Sequence, residues 1–131
     1  LESSIERLSA LKLLNLRDNT LEGTLPLSIS AMSNLDYLHL DGNAFSGTLP
    51  QSAQFLFGCV EVTLASNYFT GNIPSDLGST RGGILEEGLK IDFSIERIDW
   101  HSNRISGIIP SLFGSMPSLE HVDISRNLLV G

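Results

Sequence analysis

The stretch Leu35-Asp36-Tyr37-Leu38-His39-Leu40-Asp41-Gly42-Asn43-Ala44-Phe45-Ser46-Gly47-Thr48-Leu49-Pro50 decides the fold. Leu38-His39-Leu40 alternates with a period of two, which predicts a short strand with one face buried. Leu35 extends the apolar side of that strand. Asn43 follows where the chain must turn inward. Its amide carries two donors and an acceptor, enough to satisfy backbone groups of adjacent turns. Left without such partners, a buried amide is costly. Gly47 permits the next bend, and Pro50 sets φ near −65° for the segment that follows.

Working outward, the same unit recurs along the whole chain. Asparagines stand at Asn19, Asn43, Asn67, Asn103 and Asn127, at spacings of 24, 24, 36 and 24. Glycines keep the rhythm four residues later, at Gly23, Gly47, Gly71, Gly107 and Gly131. Pro26, Pro50, Pro74 and Pro110 do the same. An apolar triplet precedes each asparagine: Leu11/Leu14/Leu16, Leu35/Leu38/Leu40, Cys59/Val62/Leu64, Ile95/Ile98/Trp100 and Leu119/Val122/Ile124. After the prolines, apolar residues come every third position, as in Ile29/Met32, Ala53/Leu56 and Phe113/Met116, which suits short 3₁₀ segments with one face inward. No single coil can bury its own leucines, so neighbouring coils must stack, with their strands forming a parallel sheet.

Written out, the unit is LxxLxLxxNxLxGxLPxxLxxLxx, and its second half reads LEGTLP, FSGTLP, FTGNIP and ISGIIP. This resembles the leucine-rich repeat family in its plant-type, 24-residue subclass, over all of the chain but a twelve-residue excess. The resemblance implies an α/β-type solenoid: a curved parallel sheet of five short strands on the concave face and an irregular or 3₁₀ outer arc. Residues 1–131 are expected to form one array of about five coils. The chain starts and stops inside a unit, because Leu1-Glu2 takes the place of Leu25-Pro26 and Asn127–Gly131 ends within the LxG step. The paired cysteines of plant-type caps are absent. The expectation is therefore an internal piece of a longer array.

Three departures from the unit stand out. About twelve extra residues lie between positions 78 and 92 and read either as an outer-face loop or as a recognition loop. Leu89/Ile91/Phe93/Ile95 alternate there, so the excess can also extend the next strand. Cys59 takes a leucine position and reads as a small buried hydrophobe. Trp100 takes another. It needs more room, and its indole N–H needs an acceptor.

Composition narrows the function. The chain is 41% hydrophobic and 18% charged, with eight Lys and Arg against fifteen Asp and Glu, a formal charge of −7. That acidity argues against binding to a phosphate backbone. No apolar run approaches the ~18 residues of a membrane span, so no membrane contact is expected of this segment. One cysteine excludes a disulfide framework. No nucleophile elbow, P-loop, HExxH or kinase signature occurs, and neither catalysis nor a cofactor is expected.

What remains is a recognition surface. The concave face of a solenoid is its usual binding side, and here its predicted positions hold eight of the fifteen acids, four of the eight Lys and Arg, and all three histidines. The residues expected to contact a ligand are Tyr37, His39, Asp41, Glu61, Arg97, Asp99, His101, His121 and Asp123. Asn19, Asn43, Asn67, Asn103 and Asn127 are expected to form a structural ladder. Asp99, His101, His121 and Asp123 fall on adjacent rows. They offer carboxylates and imidazoles of metal-binding type or a pH-sensitive contact patch, though an open face lacks the walls to hold a metal, and none is expected. The resemblance implies a protein- or peptide-binding scaffold from a receptor-like protein or kinase ectodomain, on the outside of the cell surface. The alternative is a soluble inhibitor or adaptor, similar to plant inhibitors of cell-wall polysaccharide hydrolases. A surface template such as ice binding needs a regular threonine array, and the relevant column reads Thr24, Thr48, Asn72, Ile108. No Asn-x-Ser/Thr sequon is present. Oligomeric state is left open.

Overall fold

The computed structural model describes residues 7–50, 56, 58–74 and 94–131. Among the described residues ten strands follow one another: β1 Leu13–Asn15, β2 Glu22–Thr24, β3 Tyr37–His39, β4 Ala44–Thr48, β5 Glu61–Thr63, β6 Tyr68–Asn72, β7 Arg97–Asp99, β8 Arg104–Gly107, β9 His121–Asp123 and β10 Leu128–Leu129. They sort into two parallel sheets of five, in the orders β1-β3-β5-β7-β9 and β10-β8-β6-β4-β2. The first sheet is built from the LxL segments. Its register aligns Leu14, Leu38, Val62, Ile98 and Val122 in one inward column. That column runs unbroken from β5 to β7 despite the longer connection between them. The extra residues themselves lie outside the described residues, as do Ala53, Leu89, Ile91 and Phe93.

The second sheet was not anticipated. The sequence reads the glycine of each LxGxLP segment as a bend and its proline as the start of the outer arc. Instead the segments pair with the equivalent segments of the coils on either side, as Gly23 with Phe45, Gly47 with Phe69 and Gly71 with Ile105. Stacking at strand pitch brings these backbones within bonding distance whatever their side chains prefer, and unpaired backbone groups would otherwise need other partners. The 3₁₀ expectation survives in two segments, Leu27–Ala31 and Ser111–Ser115, each entered from a proline with φ of −70° and −63°.

The core lies between the sheets and the arc. Leu38, Val62 and Ile98 enter from the first sheet, Phe45, Phe69 and Ile105 from the second, and Ile29, Met32 and Leu56 from the arc; all are buried. Phe45 and Phe69 stack with ring centroids 6.2 Å apart. Burying side chains of this size contributes about 1.5–3 kcal/mol each. Trp100 is fully buried, but its indole N–H finds no acceptor among the described residues.

The asparagines tie the coils together. Asn67 Nδ2 donates to the carbonyls of Leu40, Leu64 and Ala65 at 3.0, 3.1 and 3.2 Å, while its Oδ1 accepts the Phe45 N–H at 3.0 Å. Asn43, Asn103 and Asn127 make the same four-bond set. Asn19, in the first coil, makes two bonds among the described residues, to the Leu16 and Arg17 carbonyls. The residue before each of these asparagines is left-handed, with φ between 53° and 65° at Asp18, Gly42, Ser66, Ser102 and Arg126. Only one of the five is glycine. A non-glycine residue costs about 1–2 kcal/mol in that conformation, so the interlocked hydrogen bonds of the ladder offset a repeated backbone strain.

Candidate functional site

The exposed side of the first sheet carries the residues that the sequence placed on the concave face. Because side chains alternate along a strand, the register sets them in two columns. One runs Leu13, Tyr37, Glu61, Arg97, His121, and the other Asn15, His39, Thr63, Asp99, Asp123. Asp41 and His101 lie two residues beyond the second column on their own coils. All nine expected contact residues therefore share one face.

Three groups form along it. At one end, Leu13 and Tyr37 are 50% and 39% exposed and make an apolar corner, with the Tyr37 ring edge-on to His39 at 6.3 Å.

In the middle, Asp41 gathers donors from the coils on either side of it. Its Oδ2 accepts from Arg17 Nε at 2.6 Å and from Thr63 Oγ1 at 2.5 Å, and its Oδ1 accepts from the Ala65 N–H at 3.0 Å. Arg17 Nη2 donates onward to Thr63 Oγ1 at 2.9 Å. Burial pushes the Asp41 carboxyl up, but the Arg17, Thr63 and Ala65 hydrogen bonds outweigh it and hold the group below the usual carboxylate range. Arg17 and Thr63 belong to this group but were not among the expected contact residues. Arg17 reaches a threonine two strands away, a pairing visible only once the register is known.

Glu61 links the middle to the far end. Its Oε1 lies 3.7 Å from Arg17 Nη2, 3.4 Å from His39 Nε2 and 3.8 Å from Arg97 Nε. Arg97 in turn lies 3.4 Å from Asp99 Oδ2.

At the far end, His101 Nδ1 is 2.6 Å from Asp99 Oδ1 and 3.9 Å from Asp123 Oδ2. Ligand-type atoms of Asp99, His101 and Asp123 lie within 4.8 Å of one another. His121 does not join them; it stands across the sheet beside Arg97. Hydrogen bonds from Ser125, including its N–H to Asp123 Oδ1 at 3.0 Å, hold the Asp123 carboxyl below its ordinary value. Chemically, this end accepts hydrogen bonds and positive charge. Arg97 at its edge opposes a free dication by repulsion and screens the carboxylates.

The model of the Leucine Rich Repeat family matches residues 10–32, 34–56 and 94–116, more than half of the chain. The chain belongs to the leucine-rich repeat family. Its solved structural neighbours include ectodomains of plant receptor kinases. The ectodomain of the receptor kinase SOBIR1 from Arabidopsis thaliana is 29% identical, with a TM-score of 0.81 over 98% of this chain and 64% of that one. The Arabidopsis thaliana receptor kinase GASSHO1/SCHENGEN3, solved in complex with CASPARIAN STRIP INTEGRITY FACTOR 2, is 30% identical with a TM-score of 0.84, over 98% of this chain and 14% of that one. The Arabidopsis receptor kinase HAESA, solved with the peptide hormone IDA and the co-receptor SERK1, is 26% identical with a TM-score of 0.83, over 99% of this chain and 20% of that one. The chain thus spans less than two thirds of these neighbours. A comparison with curated proteins gives no match.

Proposed function

We propose that this chain is part of the extracellular array of a receptor-like protein or receptor-like kinase, and that its concave sheet binds a peptide or protein. The observation that carries the reading is the likeness to receptor-kinase ectodomains, among them one solved with the peptide hormone IDA, and to a plant peptide hormone receptor solved with RGF2. The concave face supports it with two elements of a recognition surface. Leu13 and Tyr37 present an exposed apolar anchor, and tyrosine is enriched at binding hot spots. The groups from Asp41 to Asp123 present polar atoms already fixed by their neighbours, which lowers the entropy cost of binding. Arg17 and Arg97 are engaged by carboxylates of this chain, so the face is net acidic and suits a cationic or polar partner. Its role is binding, not catalysis.

The test is site-specific photocrosslinking in the full-length protein displayed on cells. A photoreactive phenylalanine analogue at Tyr37 should capture an extracellular peptide or protein. The same group at Tyr68, half-exposed on the second sheet, should not. Capture from Tyr68 alone would move the partner off the concave face. An epitope tag in the array that stains only permeabilised cells would contradict the extracellular reading.

A further inference from the structure

The middle of the concave face contains a polar group that its surroundings leave unsatisfied. Both ring nitrogens of His39 are shut off from solvent, and neither has a hydrogen-bond partner among the described residues. The nearest carboxylate oxygen among the described ion pairs is Glu61 Oε1, 3.4 Å from Nε2 and outside hydrogen-bond alignment. Glu61 is itself only loosely held: its contacts with Arg17 and Arg97 are 3.7 and 3.8 Å long, and no hydrogen bond ties it among the described residues. Asp41 differs, because both its oxygens are already taken by Arg17, Thr63 and the Ala65 N–H. The charged and titratable groups around His39 are therefore Arg17 from the β1 coil, Tyr37 and Asp41 from its own coil, and Glu61 from β5.

We propose that His39 and Glu61 form an acid-sensing pair that controls how firmly Arg97 is held on the ligand face. A buried imidazolium needs an acceptor, and Glu61 is the carboxylate free to supply one. A charge-assisted bond forms at about 2.7–2.9 Å, so Glu61 has to turn by only a fraction of an ångström to reach Nε2. Turning draws it away from Arg97, which keeps only its 3.4 Å contact with Asp99. Burial, and then Arg17, hold the His39 pKa below its ordinary 6.5, against the pull of Glu61 and Asp41. The pair thus stays open at neutral pH and closes in mild acid. On the ligand-face reading above, closing would free Arg97 to donate to polar acceptors of the partner. The titration itself needs no partner, so its failure is distinct from failure of that reading.

The experiment is an NMR titration of the full chain with labelled histidine and arginine side chains and no partner present. His39 should titrate below pH 6.5, and the Arg97 Nε–H resonance should shift with the same midpoint. In Glu61→Gln, the His39 midpoint should fall by about one pH unit and the matching Arg97 shift should vanish. In His39→Gln, the component of the Arg97 response at that midpoint should also vanish, a result that stands even if Glu61→Gln fails to fold. An unmoved His39 midpoint in a folded Glu61→Gln protein overturns the pairing. An Arg97 response that survives in His39→Gln overturns the coupling.

Discussion

Replacing Asn67 by alanine tests whether the ladder is held by its acceptor or by its donors. In the native protein Asn67 is buried and makes four hydrogen bonds. Three of them go to carbonyls that have another donor: Leu40 keeps Asn43 Nδ2 at 3.1 Å, Leu64 keeps Asn103 Nδ2 at 2.9 Å, and Ala65 keeps the Gly42 N–H at 3.0 Å. The Phe45 N–H, in contrast, loses the acceptor that Asn67 Oδ1 provides. One orphaned buried N–H costs about 1–3 kcal/mol, and the doubly bonded carbonyls add little. Asn67→Ala should therefore cost about 2 kcal/mol. Asn67→Asp retains the acceptor but turns a carboxylate oxygen toward three carbonyl oxygens, so it should cost more than alanine. Asn19→Ala removes two solvent-exposed bonds and should cost less than about 0.5 kcal/mol. Urea unfolding with a check that m is unchanged measures all three, and hydrogen exchange at the Phe45 amide localises the loss. Equal costs at Asn19 and Asn67, or a milder Asn67→Asp than Asn67→Ala, would refute the assignment.

Other measurements probe separate links. Asp99→Ala with His101→Ala should weaken partner binding while leaving the unfolding midpoint nearly unchanged, because both side chains face outward; unchanged affinity removes this end of the sheet from the contact surface. Gly71→Ala and Gly23→Ala both impose positive φ on an alanine, at 77° and 90°, costing about 1–2 kcal/mol each. Only at Gly71 would the added methyl meet a neighbour, Thr48 Cγ2 at 2.8 Å, so denaturation should rank Gly71→Ala as the more damaging. The Asp41 carboxyl is lowered on folding, so its contribution to stability is present above pH 3.8 and lost as the pH falls through its lowered value; Asp41→Asn should flatten the acid limb of a stability–pH curve. Burial, and then Asp36, push the Cys59 thiol up to about 12, so a thiol reagent at pH 8 should modify it only as fast as the chain opens.

The array and its inner columns were legible because one period governs them. Once the asparagines are aligned, Asp99 must stand beside Asp123 and Tyr37 beside Glu61. The second sheet was hidden for a physical reason. Strands such as Ala44–Thr48 carry one large inward residue and a glycine, so they lack the apolar alternation that marks a strand, and their pairing comes from coil stacking instead. Arg17 escaped notice because its significance lies in reach. A long side chain crosses two strands to Thr63, a distance that alignment of the repeats does not reveal. The unsatisfied His39 was equally unreadable, since its isolation depends on Asp41 having been claimed by others.

The ladder also bears on how such an array can change. Asn67 reaches back 27 residues to the Leu40 carbonyl, and Asn103 reaches back 39 to Leu64 with a bond of nearly the same length. The lock between coils registers the positions of the corners and not the length of chain spent between them. Duplication or slippage in a gene can therefore add a dozen residues between two corners while the columns of the first sheet keep their order and pitch. Evolution is free to lengthen the chain between corners, and a protein engineer can do the same, without rewriting what the first sheet displays.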